Sequence, residues 1–148
     1  MEIIELSTRK ALHNKAVKYF YECWGNETNF KFYEDCILHS VNDINSLPKF
    51  YIMLSGDNII GAYALLTNDI ISRQDLMPWL ACLFVNTEYR NKGLAKMMLE
   101  HGKEQSLKMA FRRLYLNSDL IGFYEKYGWE FLGIGYDIAG NETKIYEK

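Results

Sequence analysis

Prolines are scarce. The 148 residues hold two, Pro48 and Pro78, which together with 15% aromatics argues against a disordered chain. Cysteines number three, and Cys23, Cys36 and Cys82 lie far apart with no C-x-x-C pair. An odd, scattered set predicts neither a disulfide framework nor a zinc site, and it fits a reducing compartment. No apolar run is long enough for a bilayer: Leu76 to Val85 is interrupted by Pro78 and reaches about half of the roughly 20 residues a span needs. Met1 to Glu5 lacks the basic and then apolar regions of a signal peptide, so the expectation is a cytoplasmic protein with no membrane partner. The N-x-T triplets at Asn26 and Asn141 are then chance matches. Neither charge sign is in excess. Lys and Arg number 17 against 19 Asp and Glu, for a net charge of −2 and a pI near 5.9, which removes the general electrostatic case for nucleic acid as the main partner. A local basic patch is still allowed. His13 and His39 have no metal-like neighbours, so no metal is expected. What is present is a globular composition, 49% hydrophobic and 15% aromatic. That supports a single domain over residues 1–148 with a core of its own.

Ile3 to Leu6 reads as a short first strand, with Ser7 as an N-cap. Leu12, Ala16, Tyr19, Phe20, Cys23 and Trp24 recur at helical spacing and predict a first helix ending near Gly25. Asn29 caps a second helix carrying Phe30, Tyr33, Ile37 and Val41, and Asn42 to Lys49 is a loop. Phe50 to Leu54 and Ile59 to Leu66 flank Ser55-Gly56-Asp57-Asn58, a hairpin signal. Thr67 to Pro78 is a long polar connection, the kind that often carries function. Trp79 to Val85 is nearly all apolar, as a strand buried on both faces would be. A helix from Leu94 to Ala110 follows, with a small-residue stripe at Ala95, Met98, Leu99, Gly102, Ser106, Met109 and Ala110; His101 falls one position off the stripe and should be partly exposed. Leu114 to Leu116 is a short strand and Ile121 to Tyr127 a short helix stopped by Gly128. Trp129 to Ile138 and Thr143 to Glu147 form a last hairpin around Gly140-Asn141. The order β-α-α-β-β-β-α-β-α-β-β predicts an α/β (α+β) domain with one central, mixed but mostly antiparallel sheet and helices on both faces.

The most informative stretch runs from Leu83 to Ala95. A buried strand enters a polar turn, Asn86-Thr87-Glu88-Tyr89-Arg90-Asn91-Lys92, then Gly93, then a helix start. The free amides of a first helical turn carry partial positive charge, and a glycine there lets a phosphate approach the backbone. Arg90, Lys92 and Lys96 add cationic charge at the same place. A diphosphate is a natural ligand.

The spacing Arg90-x-x-Gly93-x-Ala95 resembles the acyl-CoA signature of the GNAT N-acetyltransferase superfamily. Asn117, Tyr124, Gly128 and Trp129 resemble the second signature of that family, in the right order. The likeness is close from Trp79 to Gly133, while the first half agrees only in its order of elements. It implies an acetyl-CoA-dependent transfer of an acetyl group directly to an amine, a small molecule sooner than a protein. The backbone at Leu83 and Val85 matches the strand that pairs with the pantetheine arm beside a bulge. The amides from Arg90 through Asn91, Lys92, Gly93, Leu94 and Ala95 to Lys96 match the diphosphate cradle. Asn117 matches a contact to the pantetheine arm or its surroundings, and Tyr124 matches the general acid that protonates the leaving thiolate. Dimers are common among such proteins, which leaves a homodimer open.

The base that deprotonates the amine is not fixed by the resemblance. Asp75, just before the central strand, is the first candidate, with Asp69 and Glu88 behind it. Cys82 should be core, with no base beside it to make it an acyl carrier. Tyr19, Phe20, Trp24, Phe30, Tyr33 and Trp79 are candidates to line an acceptor pocket where the first two helices meet the Thr67 to Pro78 loop. A non-catalytic acyl-CoA sensor is the alternative, and a small nucleic-acid-binding domain is a third reading that the acidic pI disfavours.

Overall fold

A computed structural model describes residues 1–41 and 45–148. Among these residues, seven strands, β1 (Glu2–Glu5), β2 (Lys49–Ser55), β3 (Asn58–Leu66), β4 (Trp79–Val85), β5 (Tyr115–Ser118), β6 (Glu130–Tyr136) and β7 (Glu142–Glu147), join three helices, α1 (His13–Trp24), α2 (Phe30–Leu38) and α3 (Leu94–Lys108). The strand order is β1-β2-β3-β4-β5-β7-β6. The sheet is mixed: β1–β2, β5–β7 and β6–β7 pair antiparallel, while β4–β5 is parallel. Among the described residues no helix is long and apolar enough to cross a membrane.

Two compact units share the chain, Met1–Ala64 with Cys82–Met98 and Leu65–Ala81 with Leu99–Lys148. In the first, α1 turns Ala16, Val17 and Phe20 inward, and the Phe20 ring meets Phe50 of β2 edge to face at 5.2 Å. β2 and β3 are buried almost end to end. Gly61 of β3 lets the start of α3 come close: a Cβ there would stand 2.9 Å from the Met98 methyl and 3.0 Å from the Phe84 carbonyl oxygen. In the second unit, Ile71, Trp79 and Ile145 form a core cluster with Leu76 and Tyr115 against it.

The predicted hairpins, the long connection, the central strand and α3 are present. Three expectations are corrected. Ser7 caps no helix: it sits in a 3-10 turn over Leu6–Thr8, and its hydroxyl donates to the Glu5 carboxylate. The second helix stops at Leu38, short of Val41. Ile121 to Tyr127 is not an α-helix; bends and turns lead into a 3-10 turn over Glu125–Tyr127. Gly122, at φ +78, takes a left-handed conformation that a helix cannot continue through. The loop expected over Asn42 to Lys49 lies partly outside the described residues, and Lys49 already belongs to β2.

Candidate active site

The first unit presents the glycine turn. β4 ends at Val85, and Asn86 anchors the exit through its amide to the Ile60 carbonyl at 2.9 Å and through its side-chain oxygen, which accepts the Tyr19 hydroxyl at 2.5 Å. After a 3-10 turn over Thr87–Tyr89, Asn91 (φ 60) and Gly93 (φ 77) both take left-handed backbone conformations. Such a chain turns successive amides to one side. The first helical bond runs from the Met97 amide to the Gly93 carbonyl at 3.1 Å. Among the described residues no backbone acceptor faces the amides of Asn91, Lys92, Gly93, Leu94 and Ala95. A Cβ built on Gly93 would meet nothing within 4 Å, so a side chain at this turn has room.

The cations do not all stand over that space. The Arg90 side chain folds back, its Nε donating to the Val85 carbonyl at 3.0 Å and its guanidinium 5.4 Å from the Phe84 ring centre. Lys92 donates to the Glu88 carbonyl at 3.2 Å and lies 5.0 Å from the Tyr89 ring centre. Both fix the loop and leave the anion to the amides. A cleft of about 490 Å³ also opens on this unit against α1; Lys15, Lys18, Glu22 and Glu88 give it both signs of charge, so it lacks the anion preference of the amides.

On β4, Val85 is buried and Leu83 half-buried. Cys82 takes φ +55, a local break in the extended backbone of β4. Among the described residues the β4–β5 ladder pairs Trp79 with Tyr115, so on its β5 side β4 runs on past the pairing toward Leu83 and Val85.

The second unit carries the other candidates. Tyr124 is buried among Phe123, Trp129 and Tyr146, with ring centres 5.0, 6.4 and 5.7 Å away. Burial pushes its phenol above the usual tyrosine value, and a hydrogen bond with Ser118 acts the other way. The phenol is therefore held protonated, as a proton donor must be. The indole Nε1 of Trp129 is buried beside it with no acceptor among the described residues.

Asn117 uses both ends of its amide. Its Nδ2 donates to Asp69 at 2.8 Å, and its oxygen accepts from Thr143 at 3.3 Å. Asp69 lies in the connection between β3 and β4, which side chains hold in shape. Asn68 accepts from the Ile71 amide at 3.0 Å, and Ser72 exchanges bonds with the Tyr136 backbone, both at 2.9 Å. Ile70 is forced to φ +53, a conformation costly for a β-branched side chain. Burial lifts the Asp69 carboxyl from its ordinary 3.8 to about 6, against the lowering pull of Asn117.

The first-choice base is placed differently. Asp75 is exposed and clamped by both Nε and Nη2 of Arg73, at 2.9 and 2.8 Å. That pair holds its carboxyl below the usual range, which makes it a poor proton acceptor. Glu88 is exposed too. Of the aromatic residues expected around an acceptor, Phe20 and Trp79 are fully buried core residues, while Trp24 and Phe30 are exposed.

The sequence pattern of the Acetyltransferase (GNAT) family matches residues 9–129. No curated protein matches the sequence. Among solved structures, the aminoglycoside 6'-N-acetyltransferase from Enterococcus faecium superposes with a TM-score of 0.75 at 14% identity, over 100% of this chain and 96% of that one. An aminoglycoside 6'-N-acetyltransferase complexed with coenzyme A gives 0.74 at 14% identity, over 100% and 96% of the two chains. A GNAT family acetyltransferase from Elizabethkingia anophelis with acetyl-CoA bound gives 0.62 at 14% identity, over 86% of each chain. At these identities the structures share the fold, and the family match carries the rest: this chain belongs to the GNAT acetyltransferase family.

Proposed function

We propose that the protein acts as one catalytic domain that moves an acetyl group from acetyl-CoA directly to an amine on a small molecule, in the cytoplasm, where its three free cysteines would persist. The observation that carries this reading is the run of amides from Asn91 to Ala95, which meet no backbone acceptor among the described residues, around the left-handed Gly93, where an added Cβ would meet nothing within 4 Å. A diphosphate supplies the oxygens those donors lack. Arg90, Lys92 and Lys96 give the loop its positive charge. The β5-facing side of the backbone at Leu83 and Val85, beyond the Trp79–Tyr115 pair, offers a strand edge to the amides of the pantetheine arm. Bound there, the cosubstrate contributes an activated acyl carbon on sulfur.

Tyr124 donates the proton that the departing sulfur takes. Two of the structural relatives are named for aminoglycosides, which puts polyamino compounds first in the search for an acceptor.

Release of the CoA thiol from acetyl-CoA, measured over a panel of an aminoglycoside, a polyamine and a peptide N-terminus, tests the reading. Turnover on at least one is expected; saturable CoA binding with no turnover on any would make the chain a sensor. Tyr124→Phe keeps the ring packing against Tyr146 and Trp129 but removes the proton. Its kcat should fall at least about tenfold while its CoA affinity stays unchanged. Full activity in that variant would take Tyr124 out of the mechanism.

A further inference from the structure

We propose that Asp69 is the catalytic base: its carboxylate takes the proton shed by the attacking amine, on the face of β5 opposite Tyr124, with Asn117 as its positioning residue. This rests on the acetyl-transfer reading above and names a residue that reading leaves open.

The geometry comes from the alternation of β5. Neighbouring residues on a strand point to opposite faces. Asn117 pairs with Ile145, whose side chain lies in the Ile71–Trp79 cluster, and Asn117 holds Asp69 on that side. Leu116 pairs with Tyr146, whose ring packs on Tyr124, and Ser118 bonds the Tyr124 phenol on that other side. Adjacent residues at the end of one short strand thus hold a carboxylate on one face and a phenol on the other. A reacting group at the end of that strand could lose a proton to one face and gain one from the other.

The electrostatics agree with the placement. β5 faces Asp69 with the Asn117 amide, and β7 reaches it only through the Thr143 hydroxyl behind that amide. In its own connection the charged neighbours Arg73 and Asp75 are paired with each other. Burial and the Asn117 bond are the causes of the Asp69 shift. A carboxyl near 6 is ionised at neutral pH yet binds a proton about a hundredfold more tightly than one near 4.

The step balances. The amine nitrogen bonds to the acetyl carbon and gives a proton to Asp69; the carbon–sulfur bond breaks with its electron pair on sulfur, which takes the Tyr124 proton. Solvent then carries the Asp69 proton back to the Tyr124 phenolate.

The test is the pH profile of kcat/KM on an aminoglycoside or polyamine that the wild type turns over, with an amine titrating above pH 9. Protonation of that amine gives a slope of about one in log rate against pH, and protonation of Asp69 should steepen it to about two below pH 6. Asp69→Asn should run at about a tenth or less of the wild-type rate at pH 7 and keep a slope of one throughout, so that its deficit narrows below pH 6, where the wild type loses its base as well. Asn117→Ala should move the break upward, because the bond it removes holds the Asp69 pKa down. A wild type that turns over while Asp69→Asn matches it at pH 7, or is slow by the same factor at every pH, overturns Asp69 as the base and leaves the transfer reading standing. A wild type that turns over no amine overturns both. Should Asp69→Asn not fold, Asn117→Ala decides alone, and an unmoved break overturns the proposal.

Discussion

Gly93→Glu is expected to weaken CoA binding by at least about a hundredfold, read as Kd by calorimetry. The fold can hold the new side chain, since a Cβ at this position meets nothing within 4 Å. Its carboxylate would then lie among the amides that we assign to the diphosphate. Two charges of like sign about 4 Å apart repel by about 4 kcal/mol at a surface-like dielectric of roughly 20, and a hundredfold needs only about 2.8 kcal/mol. The substitution also strains the backbone, because Gly93 sits at φ +77, and an L side chain there costs about 1–2 kcal/mol. Gly93→Ala carries that strain without the charge. It should lower the unfolding midpoint about as much as the glutamate while costing CoA affinity no more than about tenfold. Equal affinity in the two variants would mean that no anion lies over this turn, and the placement of the cosubstrate would fall with it.

The first element of this site was legible because its causes are local. A strand, a polar turn, Gly93 and an amphipathic stretch follow one another in the chain, and helix geometry alone leaves the first-turn amides without partners. The hairpin of β2 and β3 was readable for the same reason, with Gly56 and Asp57 between two apolar runs. Met98, Leu99 and Ser106 of the small-residue stripe are indeed buried.

Where the sequence misled, distant partners decide. Ile121, Phe123, Tyr124 and Tyr127 have a helix-like spacing, but Tyr124 packs on Trp129 and Tyr146 and the chain bends left-handed at Gly122. Asp69 and Asp75 look alike as carboxylates in one polar loop. What separates them is Asn117, 48 residues beyond Asp69, a pairing no local pattern could announce. The Arg73-x-Asp75 pair was a visible signal, since an arginine two residues away is well placed to hold an exposed carboxylate ionised.

The largest loss of stability is expected from Trp79→Ala. Trp79 is fully buried, donates its indole N–H to the Leu76 carbonyl at 2.6 Å, and packs with Ile71 and Ile145. It also pairs with Tyr115 in the β4–β5 ladder. Removing a buried indole typically costs about 3–5 kcal/mol through lost transfer energy and the cavity left behind, a large share of the roughly 5–15 kcal/mol that holds a domain folded. Trp79→Phe keeps a ring in the cluster and forfeits the indole hydrogen bond with part of the volume, so about 1–2 kcal/mol is expected. Urea denaturation at pH 7 gives both numbers; an alanine variant within 1 kcal/mol of wild type would show that this cluster does not anchor the second unit. The consequence reaches the chemistry, because Ile71 follows Asp69 and Ile70 in the chain and packs on the indole. With the ring gone, Ile71 loses a packing partner two residues from Asp69, and the aim of the Asp69 carboxylate at Asn117 is expected to loosen. Under conditions where Trp79→Phe is fully folded, any loss of kcat should therefore come with a shifted pH break, whereas CoA affinity, which depends on amides in the other unit, should stay at the wild-type value.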